Sequence, residues 1–152
     1  MSCGTVQVIY VDGSCLNPDQ PNARAGYGVF YGDNNPRNAA LPLMDKEQTN
    51  QRAEIAAVNY ALKNSNYNQA LNIYSDSTTT IAAMTKWREE WTRNGYVTRE
   101  RKPVANADLI REGHRLLALH IAPVNFEYVA GHSGNHGNEQ AHKLAAEGAT
   151  RH

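Results

Sequence analysis

An α/β fold built on one mixed sheet with helices packed on its faces is what this chain predicts. Three observations carry that reading, the first two being that the first 44 residues read as three successive strands and that the remainder alternates helices with strands. The third is composition. With 41% hydrophobic and 20% charged residues over 152 positions, the chain has globular proportions and can bury roughly two-thirds of its unfolded surface. No internal repeat, low-complexity tract or linker interrupts it, so residues 1–152 are read as a single domain.

The first strand comes from Val6, Val8 and Tyr10 alternating with Gln7, Ile9 and Val11, an apolar run that reaches Asp12. Gly13 and the Asn17-Pro18-Asp19 cluster predict a turn. Residues 26–31 and 39–44 read as two further strands in an antiparallel meander with the first. Asn50 is a plausible N-cap for a helix running to about Lys63. A short strand over 71–74 follows, and Ser77 starts another helix. The stretch 106–120 predicts a helix whose apolar contacts are Leu109, Leu116, Leu117 and Leu119. Alternation returns over 124–129, the last strand, and Asn138 caps a final helix ending at Gly148.

Composition also limits function. No apolar run approaches the roughly 20 residues of a membrane helix. Met1-Ser2-Cys3-Gly4 lacks the basic start and apolar core of a secretion signal. With only Cys3 and Cys15, no disulfide framework is indicated, and an intracellular location (cytoplasm or nucleus) is expected. Cys15 stands near Asp12, but no His or Asn context of the thiol-hydrolase type supports a nucleophile, so it reads as a packed or exposed thiol. Fifteen basic and fifteen acidic residues cancel, which argues mildly against a polyanionic substrate. Local distribution offsets this: Lys86, Arg88, Arg93, Arg99, Arg101 and Lys102 face only Glu89, Glu90 and Glu100 in the same stretch. Taken alone, that stretch is a solvated helix face.

Asp12 and Asp76 each fall where an apolar strand gives out, the end at which α/β sheets collect ligands. Glu54 shares its helix stripe with Ala57, Val58, Ala61 and Leu62. A carboxylate facing a core is costly unless paired, protonated or bound to a cation. A salt bridge to Arg52 would satisfy Glu54 alone; with two aspartates at strand ends, a shared metal site explains more. Such hard oxygen ligands suit Mg²⁺ or Mn²⁺. Two ions about 3.5–4 Å apart on a carboxylate cluster hydrolyse phosphodiesters.

The settings of these residues are distinctive: Tyr10-Val11-Asp12-Gly13-Ser14, Thr49-Asn50-Gln51-Arg52-Ala53-Glu54, Tyr74-Ser75-Asp76-Ser77, and a Gly-His-Ser-Gly-Asn-His-Gly-Asn-Glu run from Gly131 to Glu139 leading to His142. In that order and over residues 6–149 the chain resembles type 1 ribonuclease H, the nuclease that cuts the RNA strand of RNA–DNA hybrids. The resemblance implies a five-stranded mixed sheet with its first three strands antiparallel. It implies an RNA–DNA hybrid as partner, a monomer, and cleavage giving 3′-hydroxyl and 5′-phosphate ends. Asp12 would bridge two ions, with Asp76 on the attacking-water side and Glu54 on the other. His132 matches the family histidine that assists proton transfer or product departure; His136 has no match and is read as a surface residue.

His142 stands where family members carry Asp. Two readings follow. Imidazole is a divalent-ion ligand that suits Mn²⁺ better than Mg²⁺, and a place in the first helical turn would keep it neutral. The alternative is a disabled catalytic position that leaves a hybrid-binding module. The persistence of Asp12, Glu54 and Asp76 favours an active enzyme with shifted metal preference. A transposase or integrase core uses a similar sheet and carboxylates but lacks the residues that read a 2′-hydroxyl.

Those readers are Asn50 and Gln51 beside the metal-binding helix, with Asn17 a third by resemblance. Asn50 also serves as the cap. Trp87 and Trp91, four apart on one helix face, are read either as core or as a channel for the deoxyribose backbone with arginines on phosphates. By resemblance Thr49 and Asn106 match two members of a pocket gripping a DNA-strand phosphate. The third, an Arg in many relatives, is here Glu47, whose charge would repel phosphate by about 1 kcal/mol; either Lys46 or Arg52 compensates or the DNA-strand grip is weaker.

Overall fold

The computed structural model describes residues 5–152; Cys3 and the N-terminal residues read against a secretion signal lie outside the described residues. Along the chain run β1 (Gln7–Leu16), β2 (Arg24–Phe30), β3 (Ala39–Pro42), α1 (Asn50–Lys63), β4 (Leu71–Ser75), α2 (Thr78–Met84), α3 (Arg88–Asn94), α4 (Ala107–Leu119), β5 (Val124–Tyr128) and α5 (His136–Ala149). The strands form one sheet in the order β3-β2-β1-β4-β5. β1, β2 and β3 pair antiparallel, whereas β4 runs parallel to β1 and β5 parallel to β4. This is the mixed α/β sheet that the sequence predicts. A parallel neighbour requires a crossover, and α1 supplies it between β3 and β4.

The core lies between the sheet and the α1–α4 layer. Ile9, Val11, Ile55, Val58, Leu62, Leu71, Ile73, Met84 and Leu116 are all buried there. On the other face α5 lies flush against β2. A Cβ on Gly28 would come within 2.4 Å of the Ala141 carbonyl oxygen, so only glycine permits that approach. No helix among the described residues is long and apolar enough to cross a membrane.

Several local expectations are corrected. The inward parity of β1 is Ile9 and Val11; Val6 and Val8 are 47% and 39% exposed. Both parities are apolar, so alternation alone could not assign the faces. β1 also runs past Asp12 to Leu16, with Gly13 paired to Tyr27, and the turn begins at Asn17 in left-handed backbone. Gly13 is thus a strand residue. Thr49, not Asn50, caps α1: its hydroxyl accepts the Arg52 N–H at 3.1 Å. Asn135, not Asn138, caps α5, accepting the Asn138 N–H at 2.9 Å, and the helix runs on to Ala149. Leu119 is exposed at the end of α4, where Ile110, Leu116 and Leu117 supply the buried contacts.

Candidate active site

Three elements deliver three carboxylates to one point. Asp12 sits within β1, Asp76 directly follows β4, and Glu54 lies on the buried side of α1. Ligand oxygens of Asp12, Glu54 and Asp76 all fall within 4.8 Å of one another. The approach depends on Gly13, where a Cβ would stand 2.6 Å from the Glu54 nitrogen. The Gly13 N–H donates to both Asp12 Oδ1 at 2.9 Å and Glu54 Oε1 at 3.0 Å. Gly131 does the same service for Asp76, since a Cβ there would meet Asp76 Oδ2 at 2.8 Å.

The cluster is charge-rich and dry. Asp12 is 3% exposed and Glu54 4%. Burial, then the hydrogen bond and charge of Asp12 and the charge of Asp76, holds the Glu54 carboxyl well above the usual range. Asp76 is raised too, chiefly by burial and next by Asp12, with the His142 and His132 charges opposing. Glu54 Oε2 is buried with no hydrogen-bond partner. An orphaned carboxylate oxygen beside two further carboxylates is the donor set a hard divalent cation fits. Glu54 does not pair with Arg52, which is bound elsewhere.

His142 Nδ1 donates to Asp12 Oδ2 at 3.0 Å, and its side chain is about half exposed. It joins the site at Asp12 and lines the same cleft as the three carboxylates. Its place is also later than expected. With Asn135 as cap, His142 lies in the second turn of α5, beyond the turn where the helix dipole acts strongly. His132 is held in left-handed backbone (φ 57°), and its ring meets that of His142 edge-on at 5.5 Å. His136 is exposed as read, and its Nε2 donates to Asp33 Oδ1 at 2.7 Å.

The carboxylates border a cleft of about 340 Å³ that Asn50, Cys15, His132 and His142 also line. Cys15 Sγ lies 3.4 Å from the Gln48 carbonyl oxygen, and burial pushes its thiol up. Asn17 lies on the exposed turn outside that cleft, whose wall there is Pro18.

The RNase H family model matches residues 5–150. The chain belongs to the RNase H family. It is 43% identical over 150 residues to a ribonuclease H of Schizosaccharomyces pombe, covering 99% of this chain and 55% of that protein. It is 40% identical over 149 residues to ribonuclease H1 of Homo sapiens, covering 96% and 51%. The chain thus spans about half the length of these relatives. In three dimensions it is similar to the RNase H domain of PFV, with a TM-score of 0.72, 27% identity, and coverage of 94% of this chain and 93% of that domain.

Next to the carboxylate cleft, on the far side of Asn50 and Gln51, lies a groove of about 540 Å³. Gln51, Thr79, Trp87, Trp91, Val104 and Asn106 are among its walls. Trp87 and Trp91 stack with ring centres 5.6 Å apart and planes 11° from parallel. Trp91 packs against the core, while Lys86 and Arg99 lie over Trp87 at 5.0 and 5.7 Å. The core reading thus fits Trp91, although both rings also wall the groove. Gln51 Nε2 donates to Thr80 Oγ1 at 3.0 Å, tying the starts of α1 and α2 together.

Sequence reasoning missed a charge network centred on buried Arg52 at the groove's end. Arg52 Nε donates to Asp45 Oδ2 at 2.9 Å, and its Nη2 pairs with Asp45 and with Asp108 Oδ2 at 2.7 Å. Arg52 Nη1 donates to Asp108 Oδ1 at 3.0 Å and to Asn106 Oδ1 at 3.2 Å. Asn106 adopts left-handed backbone to present that oxygen. Arg52 is thereby committed to these partners, which leaves Lys46 or a weaker grip as the remaining readings of Glu47. Its only sequence signal was an arginine on a helix otherwise lined with small and branched apolar residues.

Proposed function

We propose that this chain hydrolyses the RNA strand of RNA–DNA hybrids endonucleolytically, leaving 3′-hydroxyl and 5′-phosphate ends. In this reading Asp12, Glu54 and Asp76 hold two divalent cations, Mg²⁺ or Mn²⁺. One observation carries it: three buried carboxylates converge within 4.8 Å while Glu54 Oε2 has no protein partner. Cations bound there would activate a water for attack and offset charge on the leaving 3′-oxygen.

The chain's own residues do the rest. Asp12 is central, with Oδ1 fixed by the Gly13 N–H and Oδ2 by His142. His142 orients Asp12 and, as a fourth ligand, would tilt preference toward Mn²⁺. His132, on the rim beside His142, is placed to move a proton. Asn50 and Gln51 border the cleft and the groove, where they read the 2′-hydroxyl. The Trp87 face of the groove and its basic neighbours take the DNA strand, with Thr49 and Asn106 near its phosphate. Asn17 joins them only if the hybrid reaches the β1–β2 turn. The protein acts as a monomer on the duplex. The Asp12–His142 contact is also what a disabled, hybrid-binding module would use to neutralise its site.

Incubation of a labelled hybrid with Mg²⁺ and, separately, Mn²⁺ tests this, with Asp12→Asn and a DNA-only duplex as controls. The expected result is RNA-strand cleavage with 5′-phosphate ends, lost in Asp12→Asn and absent on DNA. Tight hybrid binding without cleavage in either metal would establish the binding module instead.

A further inference from the structure

Between α3 and α4 lies another concavity, of about 350 Å³. Arg88 and Thr92 from α3 and Arg111, His114 and Arg115 from α4 wall it, with Tyr96 between the helices. Three arginines from two helices around one hollow is an arrangement that like-charge repulsion opposes, and it is stable where an anion or a rigid scaffold compensates.

The scaffold is visible. His114 is 4% exposed, and its Nε2 donates to the Ala83 carbonyl oxygen at 2.9 Å. That leaves His114 Nδ1 to accept from the Tyr96 hydroxyl at 2.7 Å. The Tyr96 ring, so fixed, lies under the Arg111 guanidinium, whose carbon is 4.7 Å from the ring centre. Stacking leaves the N–H edges of Arg111 free to donate in plane. Burial raises the Tyr96 phenol while the charges of Arg111 and then Arg88 oppose it, so both cations act on the same hydroxyl. The ion pairs of this flank are Arg93–Glu89 and Arg115–Glu112, and neither Arg88 nor Arg111 belongs to them. Glu112 holds Arg115 through two bonds of 2.7 and 2.8 Å on the exposed surface and so competes with an anion for that arginine.

We infer that the hollow between α3 and α4 is a phosphate-binding site, with Arg88 and Arg111 as its free forks and Arg115 recruited from Glu112. Planar guanidinium forks match phosphate oxygens bidentately, which a set of lysines would not do. The phosphate is either part of a nucleic-acid strand running beyond the tryptophan groove or part of a free phosphorylated compound. The inference does not rest on hybrid cleavage, because the probe is inorganic pyrophosphate.

The test is pyrophosphate titration at constant ionic strength, following the arginine Nε–Hε signals by NMR. Saturable shifts of Arg88 and Arg111 are expected, at least tenfold weaker in Arg111→Gln. Glu112→Gln, which releases Arg115, is expected to tighten binding severalfold, a gain that general charge screening would not produce. Shifts that never saturate, or that match those from added sodium chloride, would overturn the site. A second arm measures hybrid affinity against salt in EDTA. An Arg111→Gln/Arg115→Gln double variant that flattens the slope by about two, one for each lost phosphate contact, identifies a strand phosphate as the ligand. An unchanged slope in that variant, alongside saturable pyrophosphate binding by the parent protein, identifies a free phosphorylated compound.

Discussion

Arg52 and Glu54 stand two residues apart on α1, both within 5% of full burial, and they meet opposite fates. Arg52 is surrounded: Asp45, Asp108 and Asn106 take up its donors, and these partners hold its charge more firmly than water does. Glu54 receives one N–H, faces two more carboxylates, and keeps an oxygen with no partner. A buried charge that the chain has satisfied serves the fold. A buried charge left unsatisfied among like charges is held for something that comes from outside. The RNase H fold spends helix α1 on both purposes.

The largest effect that sharpens this contrast is on catalysis. Glu54→Gln keeps the shape and removes the charge, so hybrid cleavage is expected to fall roughly 10³-fold, about 4 kcal/mol of lost transition-state stabilisation. Its Tm in EDTA should hold or rise, because an uncompensated charge has gone. A variant that lost Tm as well as activity would show Glu54 to be structural. Arg52→Met should do the reverse, lowering Tm with kcat of the folded protein retained. Asp45 and Asp108 are 27% and 67% exposed and regain water, so the loss is about 2–3 kcal/mol, below the roughly 3–5 of a fully buried pair. That corresponds to a fall of about 5–10 °C in a domain this size.

Acid should expose the same network. The Arg52 hydrogen bond holds Asp108 below the usual carboxylate range; for Asp45 burial pushes up, but the Arg52 bond and charge outweigh it. Folded values lie below unfolded ones, so this stabilisation is present above about pH 4 and is lost as pH falls through the lowered folded values. Equilibrium unfolding from pH 5 to 2 should show a shallower acid limb in Arg52→Met than in the parent protein; parallel limbs would contradict the assignment. The smallest effect expected is at His142. In His142→Asp the ratio of Mn²⁺- to Mg²⁺-supported cleavage should fall severalfold as an oxygen replaces the nitrogen. An unchanged ratio would confine His142 to orienting Asp12.

What could be read in advance follows the same division. The carboxylates were legible because each carries a local signature: Asp12 and Asp76 at the ends of apolar runs, Glu54 out of place on an apolar stripe. The alternation of strands and helices gave the sheet. Gly13 was misread because a turn glycine and a close-approach glycine look alike until the helix lying against it is known. The caps of α1 and α5 slipped by one and three residues, since Thr49 competes with Asn50 and Asn135 with Asn138, and only backbone geometry decides which side chain turns back. The Arg52 network was invisible because its partner Asp108 lies 56 positions away, and nothing in either segment announces the other. The hollow between α3 and α4 hid for the same reason, behind an apparently ordinary charged helix face.

Thermal unfolding in the presence of increasing Mn²⁺ or Mg²⁺, for the parent protein and Glu54→Gln side by side, tests most directly that the carboxylate triad awaits a cation. A ligand at 100 times its Kd stabilises by about 2.7 kcal/mol, so the parent Tm should climb by about 5–10 °C and then follow the logarithm of metal concentration. Glu54→Gln should show little of that rise. A parent Tm indifferent to both metals, or an equal rise in the variant, would contradict the account.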